Sequence, residues 1–170
     1  MSGLLNFGLM SIIYGFYFFP KWKTNKYNLI LKTLFYIYIC SVLWLTILPL
    51  PLGYGIHLVH YAGYQYGNIY PFHDYLLGRS GAMRDIILNI IMLMPFGFLY
   101  PIIKQKKLLH TVAAAFLFSL AIELFQLMVT VLITNYRSFD VTDLITNTLG
   151  GLIGYLIYLL LKSFFVKKIK

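Results

Sequence analysis

Five apolar runs, each close to twenty residues long, constrain this chain more than any other feature. The hydrocarbon core of a bilayer is about 30 Å thick, and an α-helix needs about 20 residues to cross it. The runs predict spans at about Gly3–Phe19, Asn28–Leu50, Asp85–Ile103, Leu108–Ile133 and Asp143–Leu161. We therefore expect an all-α integral membrane protein, a bundle of about five transmembrane helices forming a single domain over residues 1–170.

The composition excludes a soluble globular protein. Of the 170 residues, 60% are hydrophobic and 11% are charged, whereas a soluble domain carries about 25% charged residues. A domain of this size leaves roughly a third of its unfolded surface exposed to solvent. A soluble globule could not hide this much apolar surface, so the bilayer is the expected environment.

The lysines are distributed asymmetrically along the predicted topology. They cluster in the first connection and the start of the second span, in the third connection and at the C-terminus: Lys21, Lys23, Lys26 and Lys32, then Lys104, Lys106 and Lys107, then Lys162, Lys167, Lys168 and Lys170. With five spans, all three clusters lie on one side, which the positive-inside rule makes cytoplasmic. The N-terminus is then outside and the C-terminus cytoplasmic. The formal net charge of +9 needs no nucleic acid partner to explain it.

Polar side chains of the spans concentrate near the other side of the membrane. The predicted site residues belong to spans three to five or to the connection before span five: Asn89, Glu123, Gln126, Arg137, Asp140, Asp143 and Asn147. If the fifth helix begins early enough, Asp140, Asp143 and Asn147 form one polar stripe. Glu123 is the deepest, and an ionisable residue at that depth is expected to face the bundle interior. The sequence predicts a polar pocket that opens to the outside.

Small residues and prolines predict how the helices pack. Gly150 and Gly154 have the small-xxx-small spacing that lets helix backbones approach closely, and Gly151 lies beside them. Pro95, followed by Gly97, is expected to kink the third span and free a carbonyl. These five residues are predicted to have structural roles.

An ordered set of four motifs carries a family resemblance. The motifs are Asn68-Ile-Tyr-Pro71-Phe72, Asn89-Ile-Ile-Met-Leu-Met-Pro95-Phe96-Gly97, Glu123-Leu-Phe-Gln126 and Arg137-Ser-Phe-Asp140-Val-Thr-Asp143-Leu-Ile-Thr-Asn147-Thr148-Leu-Gly150-Gly151. Over about residues 38–160 the chain resembles the VanZ-like family, with residues 1–27 as an additional N-terminal span. The resemblance implies a small multi-pass protein of the bacterial plasma membrane. It also implies an association with resistance to the glycopeptide antibiotic teicoplanin, and it supplies no reaction.

Three classes of function fit these residues. The leading hypothesis is that the pocket binds a lipid-linked cell-wall precursor, a lipid headgroup or an amphiphilic antibiotic. The second is a membrane enzyme acting on a lipid-linked phosphate or glycan, with carboxylates such as Glu123 and Asp140 as acid and base or as ligands of a divalent cation. The third is a transporter or flippase, against which the absence of an inverted repeat counts. The sequence leaves open whether the chain is an enzyme.

Each candidate residue also has a plainer interpretation. The polar stripe could instead make hydrogen bonds between helices, and Arg84 or Arg137 could pair with a nearby aspartate rather than bind phosphate. His57 and His60, in the Tyr-rich connection Leu52–Arg84, favour an interfacial position over a zinc site. We expect no metal and no cofactor.

Overall fold

The computed structural model describes residues 2–23, 25–47, 67–132 and 139–169, most of them helical. The helices are α1 (Ser2–Ile13), α2 (Phe19–Trp22), α3 (Lys26–Thr46), α4 (His73–Leu76), α5 (Ala82–Lys104), α6 (Leu108–Leu132) and α7 (Val141–Ile169). A π-helical segment, Tyr14–Phe18, joins α1 to α2. Two short strands, β1 (Gly67–Asn68) and β2 (Phe139–Asp140), pair in parallel.

Four of the predicted spans are long apolar helices, which confirms the all-α membrane fold. Within the described residues, the segments long and apolar enough to cross a bilayer are Lys26–Thr46, Ala82–Lys104, Leu108–Val129 and Val141–Lys162. The first predicted span instead forms α1, which has 12 residues, the π-helical segment and the start of α2. Whether that segment crosses the membrane, and which side each terminus occupies, stay predictions.

Glycines bring α5 and α7 together, and these two helices make the most extensive contact among the described elements. A Cβ atom at Gly97 would overlap the backbone carbonyl of Gly151. Two more glycines of α7 face carbonyl oxygens of α5 in the same way: Gly150 faces Ile90, and Gly154 faces Met94. Because α6 returns the chain between them, α5 and α7 run parallel and both begin at the same end of the bundle.

Two prolines lie inside α5, and the helix continues through both. Pro95 has no N–H, so the carbonyl of Ile91 loses its helical donor. The hydroxyl of Tyr38 on α3 donates to the next carbonyl, that of Met92, at 2.8 Å. This hydrogen bond ties α3 to α5 at the proline turn, beside a core that includes the fully buried Leu93.

The strand pair attaches the segment before α5 to the segment before α7. Asn68 pairs with Asp140 across the two strands, and a Cβ atom at Gly67 would lie 3.0 Å from the carbonyl oxygen of Phe139. Further along, the backbone N–H of Phe72 donates to Oγ1 of Thr142 at 2.9 Å. Residues 67–72, in the described part of the segment before α5, are therefore held at the end of the bundle where α5 and α7 begin.

Candidate functional site

A polar cavity of about 540 Å³ lies at the end of the bundle where α5 and α7 begin. The polar residues of its lining are Asp74, Arg84, Asp85, Asn89, Gln126, Asp140, Thr142 and Asp143. Polar side chains on membrane-spanning helices are costly unless they face the bundle interior or water, and for that reason they mark candidate functional sites. The cavity brings together four of the residues predicted from sequence: Asn89, Gln126, Asp140 and Asp143.

A short hydrogen bond links the two parallel helices at the cavity. Nδ2 of Asn89 on α5 donates to Oδ1 of Asp143 on α7 at 2.6 Å, and both side chains are half-buried. Asp143 lies in the first turn of α7, where the partial positive charge of a helix N-terminus stabilises a carboxylate. The pair holds one carboxylate in a fixed position on the cavity wall.

Asp140 reaches the cavity from strand β2, because α7 begins one residue later, at Val141. Its Oδ1 accepts the backbone N–H of Thr142 at 2.7 Å, which is the contact of a helix N-cap. Its Oδ2 lies 3.4 Å from the donating Nδ2 of Asn68. Asp140 therefore does not share a helical stripe with Asp143, and it combines capping of α7 with a place in the cavity lining.

Glu123 and Gln126, on one face of α6, fix the surrounding elements. Glu123 is 2% exposed, and its Oε2 accepts the backbone N–H of Asp140 at 3.0 Å. Gln126 is also buried, and its Nε2 donates to the carbonyl oxygen of Thr46 at the end of α3 at 2.9 Å. Of the two, only Gln126 belongs to the cavity lining among the described residues. Glu123 acts on the cavity through Asp140.

Asn147 is buried between α6 and α7 and does not belong to the described cavity lining. Its Nδ2 donates to Oγ of Ser119 at 3.0 Å, while its Oδ1 has no hydrogen-bond partner among the described residues. This contact is the helix-to-helix hydrogen bond that the sequence left open as the plainer interpretation. Arg137, the remaining predicted site residue, lies outside the described residues.

Two ion pairs stand at the exposed rim of the cavity. Arg84 approaches Asp85 at 3.2 Å, and Arg79 donates to Asp74 at 2.9 Å. The residues predicted as the site did not include these four charges or Thr142, although Arg84 was considered as a possible phosphate-binding residue. The sequence did contain a signal that this segment belongs to the site, the Asn68…Pro71-Phe72 motif. Phe72 lines the cavity and its backbone N–H donates to Thr142.

A metal centre does not emerge from the described residues. Within them, no three side chains of His, Cys, Asp or Glu are grouped closely enough to hold a metal ion. His73 approaches Asp74, with 3.5 Å between Nδ1 and Oδ1, whereas His57 and His60 lie outside the described residues. The described lining offers carboxylate acceptors and a guanidinium, which suits binding by hydrogen bonds and charge.

Replacing Thr142 by valine is expected to loosen the segment that covers the cavity. The substitution keeps the shape but removes the acceptor of the Phe72 N–H, which costs about 1–3 kcal/mol when the donor stays buried. Limited proteolysis should then cut the segment around Phe72 faster. In the control Thr148→Val, the lost hydrogen bond goes to Leu144 within α7 itself, so the cleavage rate there should be unchanged. Equal rates in both variants would contradict the role assigned to Thr142.

Comparisons with known proteins cover the region that forms this cavity. The sequence profile of the family described as VanZ/LLP1 matches residues 35–162. Over 123 residues the chain is 31% identical to Protein VanZ of Enterococcus faecium, an overlap that covers 72% of this chain and 69% of that protein. No solved structure matches. The matched region begins in α3 and includes all the described residues of the cavity lining.

Proposed function

Because the chain belongs to the VanZ/LLP1 family and is a multi-pass bacterial membrane protein, we propose that its cavity binds the polar head of a membrane amphiphile. The candidates are a lipid-linked cell-wall precursor, a lipid headgroup and an amphiphilic antibiotic. The observation that carries the proposal is the polar cavity of about 540 Å³ at one end of the membrane bundle.

The chemistry of the lining suits a headgroup with both donors and an acidic group. Among the described residues, the lining contains four aspartates and one arginine. Carboxylates accept hydrogen bonds from hydroxyl, amide and ammonium groups. The planar guanidinium of Arg84 suits a phosphate or carboxylate. A headgroup with these features would be held at two chemically different points.

The side of the membrane on which the cavity is expected to lie suggests how it could contribute to antibiotic resistance. The positive-inside rule places the lysine clusters in the cytoplasm, which puts the cavity at the outer leaflet. The VanZ-like family is associated with resistance to teicoplanin, an antibiotic that carries an acyl chain. A site that holds a precursor or the antibiotic at the outer leaflet would interfere with anchoring of the drug.

Replacing Asp143 by alanine is expected to abolish function without removing the protein from the membrane. The substitution removes a lining carboxylate and leaves Asn89 without the acceptor that now lies 2.6 Å away. In a teicoplanin-sensitive host, we expect the inhibitory concentration to fall to that of cells without the gene. Immunoblots of isolated membranes should give equal protein amounts.

The matched control for this experiment is Thr148→Val, on the same helix but outside the described cavity lining. Its Oγ1 donates to the Leu144 carbonyl oxygen of its own helix at 2.7 Å, so resistance should be unchanged. Full resistance of the Asp143→Ala strain at equal membrane levels would refute the proposed pocket.

A further inference from the structure

The membrane-facing surface of α5 continues directly from the cavity. Arg84 and Leu88 line the cavity, and Ile91 lies on the same face because positions i, i+4 and i+7 of a helix align. Leu88 is 52% exposed and Ile91 is 54% exposed. On a membrane span, apolar side chains exposed to this degree face acyl chains. We name Leu88 and Ile91 the α5 track, which leads from the cavity into the hydrocarbon core.

The segment around α4 also lines the cavity and carries its own apolar surface. Phe72 and Tyr75 line the cavity, and the adjacent Leu76 and Leu77 are 76% and 60% exposed. Tyr70, before them, is 69% exposed. Apolar and tyrosine side chains exposed just before a membrane span are typical of a segment seated in the membrane interface. Both α4 and α5 therefore carry exposed apolar side chains next to residues of the cavity lining.

The guanidinium of Arg84 stands where the α5 track meets the cavity. Its side chain is 75% exposed and that of its partner Asp85 is 60% exposed, so neither is sealed off from a ligand. A guanidinium has five N–H donors and can hold a carboxylate and a phosphate oxygen together. The remaining lining charges of the described residues are aspartates, which attract a cationic group.

We propose that a zwitterionic phospholipid enters the cavity sideways from the leaflet, passing between α4 and α5. Its phosphate binds Arg84, its ammonium group faces the aspartates, and one acyl chain lies on the α5 track. The inference rests on the proposed function, that the cavity binds a polar head. It adds that the acyl chain is part of what is recognised and that the ligand arrives from the membrane rather than from water.

The test compares one headgroup with and without acyl chains. Purified protein in detergent is titrated with dioctanoyl phosphatidylethanolamine or with glycerophosphoethanolamine, and bound probe is counted by native mass spectrometry. We expect the lipid to bind at least tenfold more tightly. In Ile91→Ser, binding of the lipid should weaken at least fivefold. The control Leu117→Ser changes an apolar residue of α6 that is 61% exposed, and it should bind the lipid like the unmodified protein.

The outcomes separate this inference from the proposed function. Equal affinity for the two probes would overturn lateral access, yet it would leave binding of a polar head intact. Binding of the lipid that is insensitive to Ile91→Ser would overturn the role of the α5 track. Failure of both probes to bind would overturn the choice of headgroup, and the resistance of the Asp143→Ala strain would then decide the proposed function independently.

Discussion

Replacing Gly97 by alanine is expected to destabilise the packing of α5 against α7. A Cβ atom there would overlap the backbone of Gly151, and backbone cannot move aside as a flexible side chain can. Alanine gains about 1 kcal/mol of helix propensity over glycine. Overpacking costs about 1–3 kcal/mol, occasionally more, and here α5 and α7 must separate along their longest contact. The steric cost is therefore expected to exceed the gain.

The matched control is Gly8→Ala in α1, which brings the same gain in helix propensity. Among the described residues, no atom lies within 4 Å of a Cβ atom at Gly8 beyond its own helix and neighbours. Size-exclusion chromatography in detergent and thermal unfolding should show a monodisperse Gly8→Ala protein and an aggregated or much less stable Gly97→Ala protein. Equal yield and equal melting temperature of the two variants would refute the glycine contact.

Replacing Glu123 by alanine is expected to destabilise the protein and eliminate resistance. The carboxylate is buried and accepts the backbone N–H of Asp140. Leaving a buried donor without its acceptor costs about 1–3 kcal/mol. It also releases Asp140, which lines the cavity and caps α7. Thermal unfolding should show a lower melting temperature, and susceptibility tests should show a lower inhibitory concentration of teicoplanin.

Glu123→Gln is the matched variant, because glutamine has the same length and keeps a carbonyl oxygen to accept the Asp140 N–H. We expect it to retain the fold and most of the resistance. An acid or base in catalysis must exchange a proton, so a catalytic Glu123 would lose its activity in both variants. A glutamine variant that is folded yet as inactive as the alanine variant would contradict the positioning role.

The membrane helices could be predicted because their length and apolarity are dictated locally. In a bilayer each helix must satisfy its own backbone hydrogen bonds, so a run of about 20 apolar residues specifies one element. The ends were less predictable. The second span was predicted from Asn28, but α3 begins at Lys26 because the side chain of Asn25 accepts the N–H groups of Tyr27 and Asn28. A hydropathy profile does not detect such a cap, because the cap depends on hydrogen bonds to one side chain rather than on the apolarity of a segment.

The candidate site could be predicted only as a set of polar residues near one end of the bundle. Helical spacing gives the face on which a side chain lies, but not which neighbour it meets. The bond from Asp140 to Glu123 and the pairing of Asp140 with Asn68 join residues distant in sequence. Asn147 shares the sequence signal of Asp143, yet it bonds to Ser119 on α6. These differences arise from tertiary packing, which a single sequence does not encode locally.

An experimental map of the protein in lipid nanodiscs tests the central claim most directly. Nanodiscs cut directly from the bacterial membrane, which carry its phospholipids and lipid-linked precursors, should yield headgroup-sized density in the cavity, within hydrogen-bonding distance of Asp143 or Arg84, in the unmodified protein. The same density should be absent in Asp143→Ala. A map in which the lining side chains are well ordered and the cavity contains only water would contradict the claim that this cavity binds the head of a membrane amphiphile.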